Sequence, residues 1–130
     1  MFFQKTGILG INARNLLYIR PFNKEKSIEI ADDKIKTKAF LSARGIPVPK
    51  LLGIINNSNI IKKFSFKKLG TEFVLKPNLG YGGEGIIPIV RRENDLFIST
   101  KNKVYSKQDL IDHIEEILNG NFAITDKPDQ

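Results

Sequence analysis

At 130 residues the chain is about one domain long, and 41% hydrophobic with 27% charged residues excludes a disordered tail. The absence of cysteine excludes a disulfide framework and a thiolate metal site, and fits a reducing compartment. The 21 basic against 14 acidic residues leave a charge of +7, which suits a polyanionic partner such as a nucleotide, nucleic acid or acidic lipid, and equally a lysine-rich genome. No apolar run approaches the about 20 residues that span a bilayer, and Gln4 and Lys5 make the opening "MFFQKTGILG" too polar for a signal peptide. A soluble, cytoplasmic chain with no membrane insertion is expected.

In chain order, "GINARNLLYIRP" carries Ile11, Leu16, Leu17 and Ile19 and is expected either as a short helix stopping before Pro21 or as an irregular arm. In "ADDKIKTKAFLSARGIPVP", Asp32 suits an N-cap and Asp33 the first turn. Ile35, Ala39 and Ala43, with Phe40, make one narrow apolar face. Gly45 suits a left-handed C′ position and Pro47 and Pro49 prevent continuation, so a helix is predicted over residues 32–44. "KLLGII" has the character of a short strand. "SNIIKKFSFKKL" has the pattern of a basic amphipathic helix, with Ile60, Ile61, Phe64 and Leu69 on one side and Lys62, Lys63, Lys67 and Lys68 on the other.

"TEFVLKP" is strand-like, and so is "GIIPIVRR", where Pro88 argues for an edge position or a bulge. "DLFIST" and "KVY" form a hairpin around residues 101–103. "SKQDLIDHIEEILNG" is the clearest helix: Ser106 and Asp109 make a capping box, Leu110, Ile111, Ile114, Ile117 and Leu118 make the buried stripe, and Gly120 ends it. The order predicts an α+β fold, a small antiparallel sheet with flanking helices.

Joining the strands of "TEFVLKP" and "GIIPIVRR" is the stretch "VLKPNLGYGGEG", with Gly80, Gly82, Gly83 and Gly85. The spacing matches G-x-G-x-x-G, but a Rossmann loop must open a helix, and a strand follows here. A Walker loop would end in Gly-Lys-Ser/Thr, whereas this one ends in Glu84-Gly85. In a protein kinase the lysine lies on the strand after the loop; here Lys76 precedes it. A strand–loop–strand remains, whose glycines can turn backbone N–H groups around a phosphate while Lys76 sets a point charge beside them. A glycine-rich hairpin tip with an exposed lysine has the same local pattern, and spacing alone leaves both readings open.

Two segments together carry a resemblance. "DDKIKTKAFLSARGIPVPK", followed by "FVLKPNLGYGGEGI", resembles the N-terminal part of the ATP-grasp fold. The preceding "GINARNLLYIRPFNKEKSIEIADDK" is similar to the start of its alpha-L-glutamate ligase-like branch. The resemblance implies a residue 1–30 arm and a nucleotide-binding subdomain over residues 31–130. It implies a carboxylate–amine ligase that uses ATP and Mg²⁺ and works through an acyl phosphate, with a carboxylate or amino-acid substrate. Lys34 and Lys76 would contact the α/β-phosphates, and Gly80, Gly82, Gly83 and Gly85 would form the flap over the β/γ-phosphates. From local sequence alone, Lys34 is a solvated helix charge.

The family's acidic Mg²⁺ cluster would lie beyond Gln130, so no metal ligands are assigned. The chain is expected to be a truncated ligase, inactive alone, with a complementing C-terminal half as a candidate partner. Asp112, Glu115 and Glu116 are expected to face solvent, and His113, the only histidine, to be an ordinary helix residue rather than a catalyst or ligand. The competing readings are a non-catalytic remnant and a single-strand nucleic-acid module. The second would stack bases on Phe64 and Phe66 between four lysines; the helical spacing argues against it, since it makes Phe64 a core residue.

Overall fold

The computed structural model describes residues 9–123 and Asp129. Most of the opening "MFFQKTGILG" and most of the closing "AITDKPDQ" lie outside them. The chain divides into two compact units, Met1–Pro47 and Val48–Gln130. No described helix is long and apolar enough to cross a membrane.

The first unit is helical. Helix α1 (Ile11–Arg14) passes into a π turn (Asn15–Ile19) and then α2 (Arg20–Phe22). The expected stop before Pro21 does not occur. Pro21 has no N–H for the carbonyl one turn back, and the helix opens by one residue instead, the Arg20 N–H reaching Asn15. Helix α3 (Glu25–Asp32), absent from the expectation, follows, and then α4 (Lys34–Ser42). The N-cap of α4 is therefore Asp33 and not Asp32: its carboxylate accepts from the N–H groups of Ile35 and Lys36, at 3.0 and 2.9 Å.

Gly45 takes the expected left-handed conformation, φ 71°. Bonds from Ile46 N–H to Leu41 and from Gly45 N–H to Ser42 close α4 as a Schellman motif. The anticipated apolar face is not a core: no residue of α4 is buried, and Phe40 is covered on one side by the Arg44 guanidinium, 3.4 Å from its centroid.

The second unit holds a four-stranded antiparallel sheet in the order β1 (Phe73–Leu75), β2 (Ile87–Glu93), β3 (Leu96–Ser99), β4 (Val104–Tyr105). The α+β expectation holds. The hairpin at residues 101–103 is present, Asn102 taking φ 57° at its tip. Pro88 is not on an edge strand. It sits in β2 opposite Val74, between β1 and β3. Its carbonyl accepts from Thr100 N–H, so its nitrogen faces the same side, beyond the last residue of β3, where the missing donor interrupts no ladder bond. A register shift does follow between Ile89 and Arg91.

"KLLGII" forms no strand: no described strand pairs with it, and only Ile55 packs on the core while Leu51, Leu52 and Ile54 stay exposed. The basic amphipathic helix is also corrected. Helix α5 (Ser58–Lys63) stops at Phe64, and a separate 3₁₀ turn (Phe66–Leu69) follows. The break puts both Phe64 and Phe66 on the inner side, which continuous helical spacing would forbid. Phe66 is 4% exposed and meets Phe64 and Phe97 edge-on or tilted, so it has no face to offer a base.

Helix α6 (Lys107–Leu118) carries the predicted capping box in both directions and buries Leu110, Ile114 and Ile117. Those residues join Ile61, Phe66, Phe73, Ile87, Ile89 and Phe97 in the core of this unit. The β1–β2 connection meets His113 in the middle of α6 and Phe122 and Ala123 beyond its end.

Candidate phosphate-binding site

The β1–β2 connection begins at Lys76, which is exposed, and turns inward at Pro77 and Asn78, both buried. Its first arm is held by three contacts. The Asp129 carboxylate, 5% exposed, accepts from Leu79 N–H at 2.9 Å through both oxygens. Gly80 bridges Ala123, and Tyr81 N–H donates to the Phe122 carbonyl at 3.3 Å. At the far end, the carbonyl of Gly85 accepts from His113 Nε2 of α6 at 2.8 Å.

The four glycines serve two purposes. A Cβ on Gly80 would stand 2.5 Å from Pro77 Cγ, and one on Gly85 would stand 2.8 Å from Phe122 Cγ. These two positions are glycine because the loop ends press against side chains. Gly82 and Gly83 meet nothing within 4 Å, but their φ angles are 62° and 81°. They are glycine because the backbone turns left-handed there, which costs other L-residues roughly 1–2 kcal/mol each. Leu79, Tyr81 and Glu84 direct their N–H groups to protein acceptors. Among the described residues no acceptor is found for those of Gly82 or Gly83, which leaves them able to face an anion.

Lys34 lies in the first unit, half-buried at the first residue of α4, beside the capping Asp33. The structure thus brings Lys76 and the four glycines into one strand–loop–strand, while Lys34 stands on a helix of the other unit.

Such a loop after Val-Leu-Lys-Pro, downstream of a capped Asp-Asp-Lys helix, has a counterpart among known families. Residues 13–130 match the sugar-transfer associated ATP-grasp family. The chain belongs to that family. This ATP-grasp chain is also 39% identical over 93 residues to the tetrahydromethanopterin:alpha-L-glutamate ligase of Methanocaldococcus jannaschii, an alignment covering 69% of the chain and 29% of that enzyme. It therefore spans under a third of the length of that relative. No solved structure matches it. The resemblance to ATP-grasp proteins of the alpha-L-glutamate ligase-like kind holds.

The sequence reading missed three residues that build the site of this ATP-grasp chain: His113, Phe122 and Asp129. Each acts through a contact 28 to 50 residues away or through the loop backbone, which no local period announces. One signal was available: His113 follows Ile111 and precedes Ile114, so a lone histidine stands at the margin of a buried stripe. Asp112, Glu115 and Glu116 are exposed as expected.

Proposed function

We propose that the chain supplies the nucleotide-phosphate flap of an ATP-dependent carboxylate–amine ligase. ATP provides the terminal phosphoryl group, which passes to a carboxylate oxygen with loss of ADP; an amine then attacks the acyl carbon and phosphate leaves. Glutamate is the amine donor this reading favours, by likeness to the ligase of tetrahydromethanopterin and alpha-L-glutamate.

The observation that carries the reading is the loop itself: a backbone held at both ends, two left-handed glycines between whose N–H groups find no acceptor among the described residues, and an exposed lysine at its base. A lysine bond to a phosphate oxygen is charge-assisted, worth about 1.5–3 kcal/mol. The glycine N–H groups add donors at a spacing no side chain obstructs. Phosphoryl transfer rests on positioning and charge stabilisation more than on covalent help from the protein, which is the work such a flap does. Lys34 is the second phosphate contact in this proposal, on its motif.

No step is assigned to Mg²⁺, because among the described residues no group of three or more His, Cys, Asp or Glu side chains could hold a metal ion. The 130-residue chain is itself proposed to bind nucleotide. Titration of ¹⁵N-labelled chain with ATP tests the assignment: the amides of Gly82, Gly83 and Gly85 should shift first. Shifts confined to the lysines of α5 and the 3₁₀ turn would place the anion elsewhere and overturn it.

A further inference from the structure

His113 has no part in the reading above, yet it is the only side chain of α6 found bonded to the flap among the described residues. A carbonyl oxygen can only accept, so the 2.8 Å contact to Gly85 fixes the proton on Nε2. The other ring nitrogen, Nδ1, lies 3.4 Å from Glu116 one turn on, and the ring packs against Phe122 with centroids 5.2 Å apart. Phe122 in turn abuts Gly85 and accepts from Tyr81 N–H. One histidine therefore reaches one end of the flap directly and the other through Phe122. Its side chain is 17% exposed, on the helix that anchors the core of the unit.

We propose that His113 is a positioning residue for the nucleotide-binding loop. Through Nε2–H it locks the Gly85 carbonyl, so that between the Tyr81 and Gly85 anchors only residues 82–84 remain to close on phosphate. This rests on the reading of the loop as a phosphate flap. The physical gain is preorganisation: with Tyr81 and Gly85 held, ligand binding has to order three residues rather than the whole connection between the strands.

The test uses the whole chain and two readouts, hydrogen exchange at the bonded loop amides of Leu79, Tyr81 and Glu84 without ligand, and ATP affinity by calorimetry. His113→Phe keeps an aromatic ring on Phe122 and removes the donor; His113→Met also removes the donor, without a ring, should the phenylalanine variant fail to fold. His113→Gln places an amide N–H at similar reach. The donor-less variants should speed exchange in the loop and weaken ATP binding about three- to tenfold, the worth of one neutral hydrogen bond. His113→Gln should restore both.

Lys76→Ala separates the two ideas. If it weakens ATP binding while the donor-less variants leave affinity unchanged, the flap reading stands and the role of His113 is overturned. A glutamine variant that behaves like the phenylalanine variant, with thermal midpoints alike, overturns it too. If neither Lys76→Ala nor the donor-less variants alter ATP binding, the flap reading itself fails, and the inference with it.

Discussion

The Phe122 ring occupies the space that a side chain on Gly85 would need, with its Cγ 2.8 Å from where a Cβ would stand. The Gly85 backbone is also left-handed, φ 70°, so a substitution there meets two penalties at once. Gly85→Ala should destabilise the chain by about 2–4 kcal/mol, combining left-handed strain with overpacking. Gly83→Ala, in open space, should cost only about 1–2 kcal/mol. Urea unfolding of the two variants side by side checks the order; a larger loss for Gly83→Ala would contradict the packing account.

Leu110 is 0% exposed at the centre of the stripe that α6 lays on the sheet. Leu110→Ala should cost about 2–5 kcal/mol, as large-to-small changes in a closed core do. Lys67→Ala and Lys68→Ala, exposed on the 3₁₀ turn, should change stability by less than about 0.5 kcal/mol. Thermal melts of the three variants measure the contrast.

Asp109 at the start of α6 accepts from the Ser106 N–H at 2.7 Å, while its own N–H reaches back to the Ser106 hydroxyl. The Ser106 backbone and side-chain hydrogen bonds, in that order, hold its carboxyl below the usual aspartate range. A folded-state pKa below the unfolded one contributes stability that is present above the unfolded value and is lost as pH falls through the folded one. The stability gap between the parent chain and Asp109→Ala should therefore be constant near neutrality and shrink below about pH 4. Ser106→Ala should cost about 0.5–2 kcal/mol at neutral pH. Urea midpoints at pH 7 and in the acid range test both; a gap that widens in acid would contradict the capping account.

Much of the fold was legible because its signals are local. The box at Ser106 and Asp109, the Gly45 terminus and the strands flanking the glycines all depend on neighbours within a few residues, and all are present. What failed did so where tertiary demand overrides pattern. "KLLGII" has the composition of a strand but finds no described partner, and β character is realised only in a ladder. The helix expected through Phe64 breaks because the core takes Phe66 as well. Pro88 fits a central strand because its nitrogen faces past the end of β3, which only the pairing register reveals. Asp33 displaces Asp32 as cap because an unforeseen helix, α3, already contains Asp32.

The site divides in the same way. Glycine spacing and the lysine ahead of it could be read directly, while the clamps at its ends could not. Leu79 to Asp129 and Gly85 to His113 join residues far apart in the chain; Asp129 has no local signal, and His113 has only its place beside the buried stripe of α6.

The most direct test of the central claim is the ATP affinity of the chain and of Lys76→Ala, compared by calorimetry at one ionic strength. Lys76 is exposed, so the variant should fold as the parent does. A phosphate flap predicts that affinity falls by about 1.5–3 kcal/mol, roughly tenfold to a hundredfold. Equal affinity of the two proteins for ATP would contradict it.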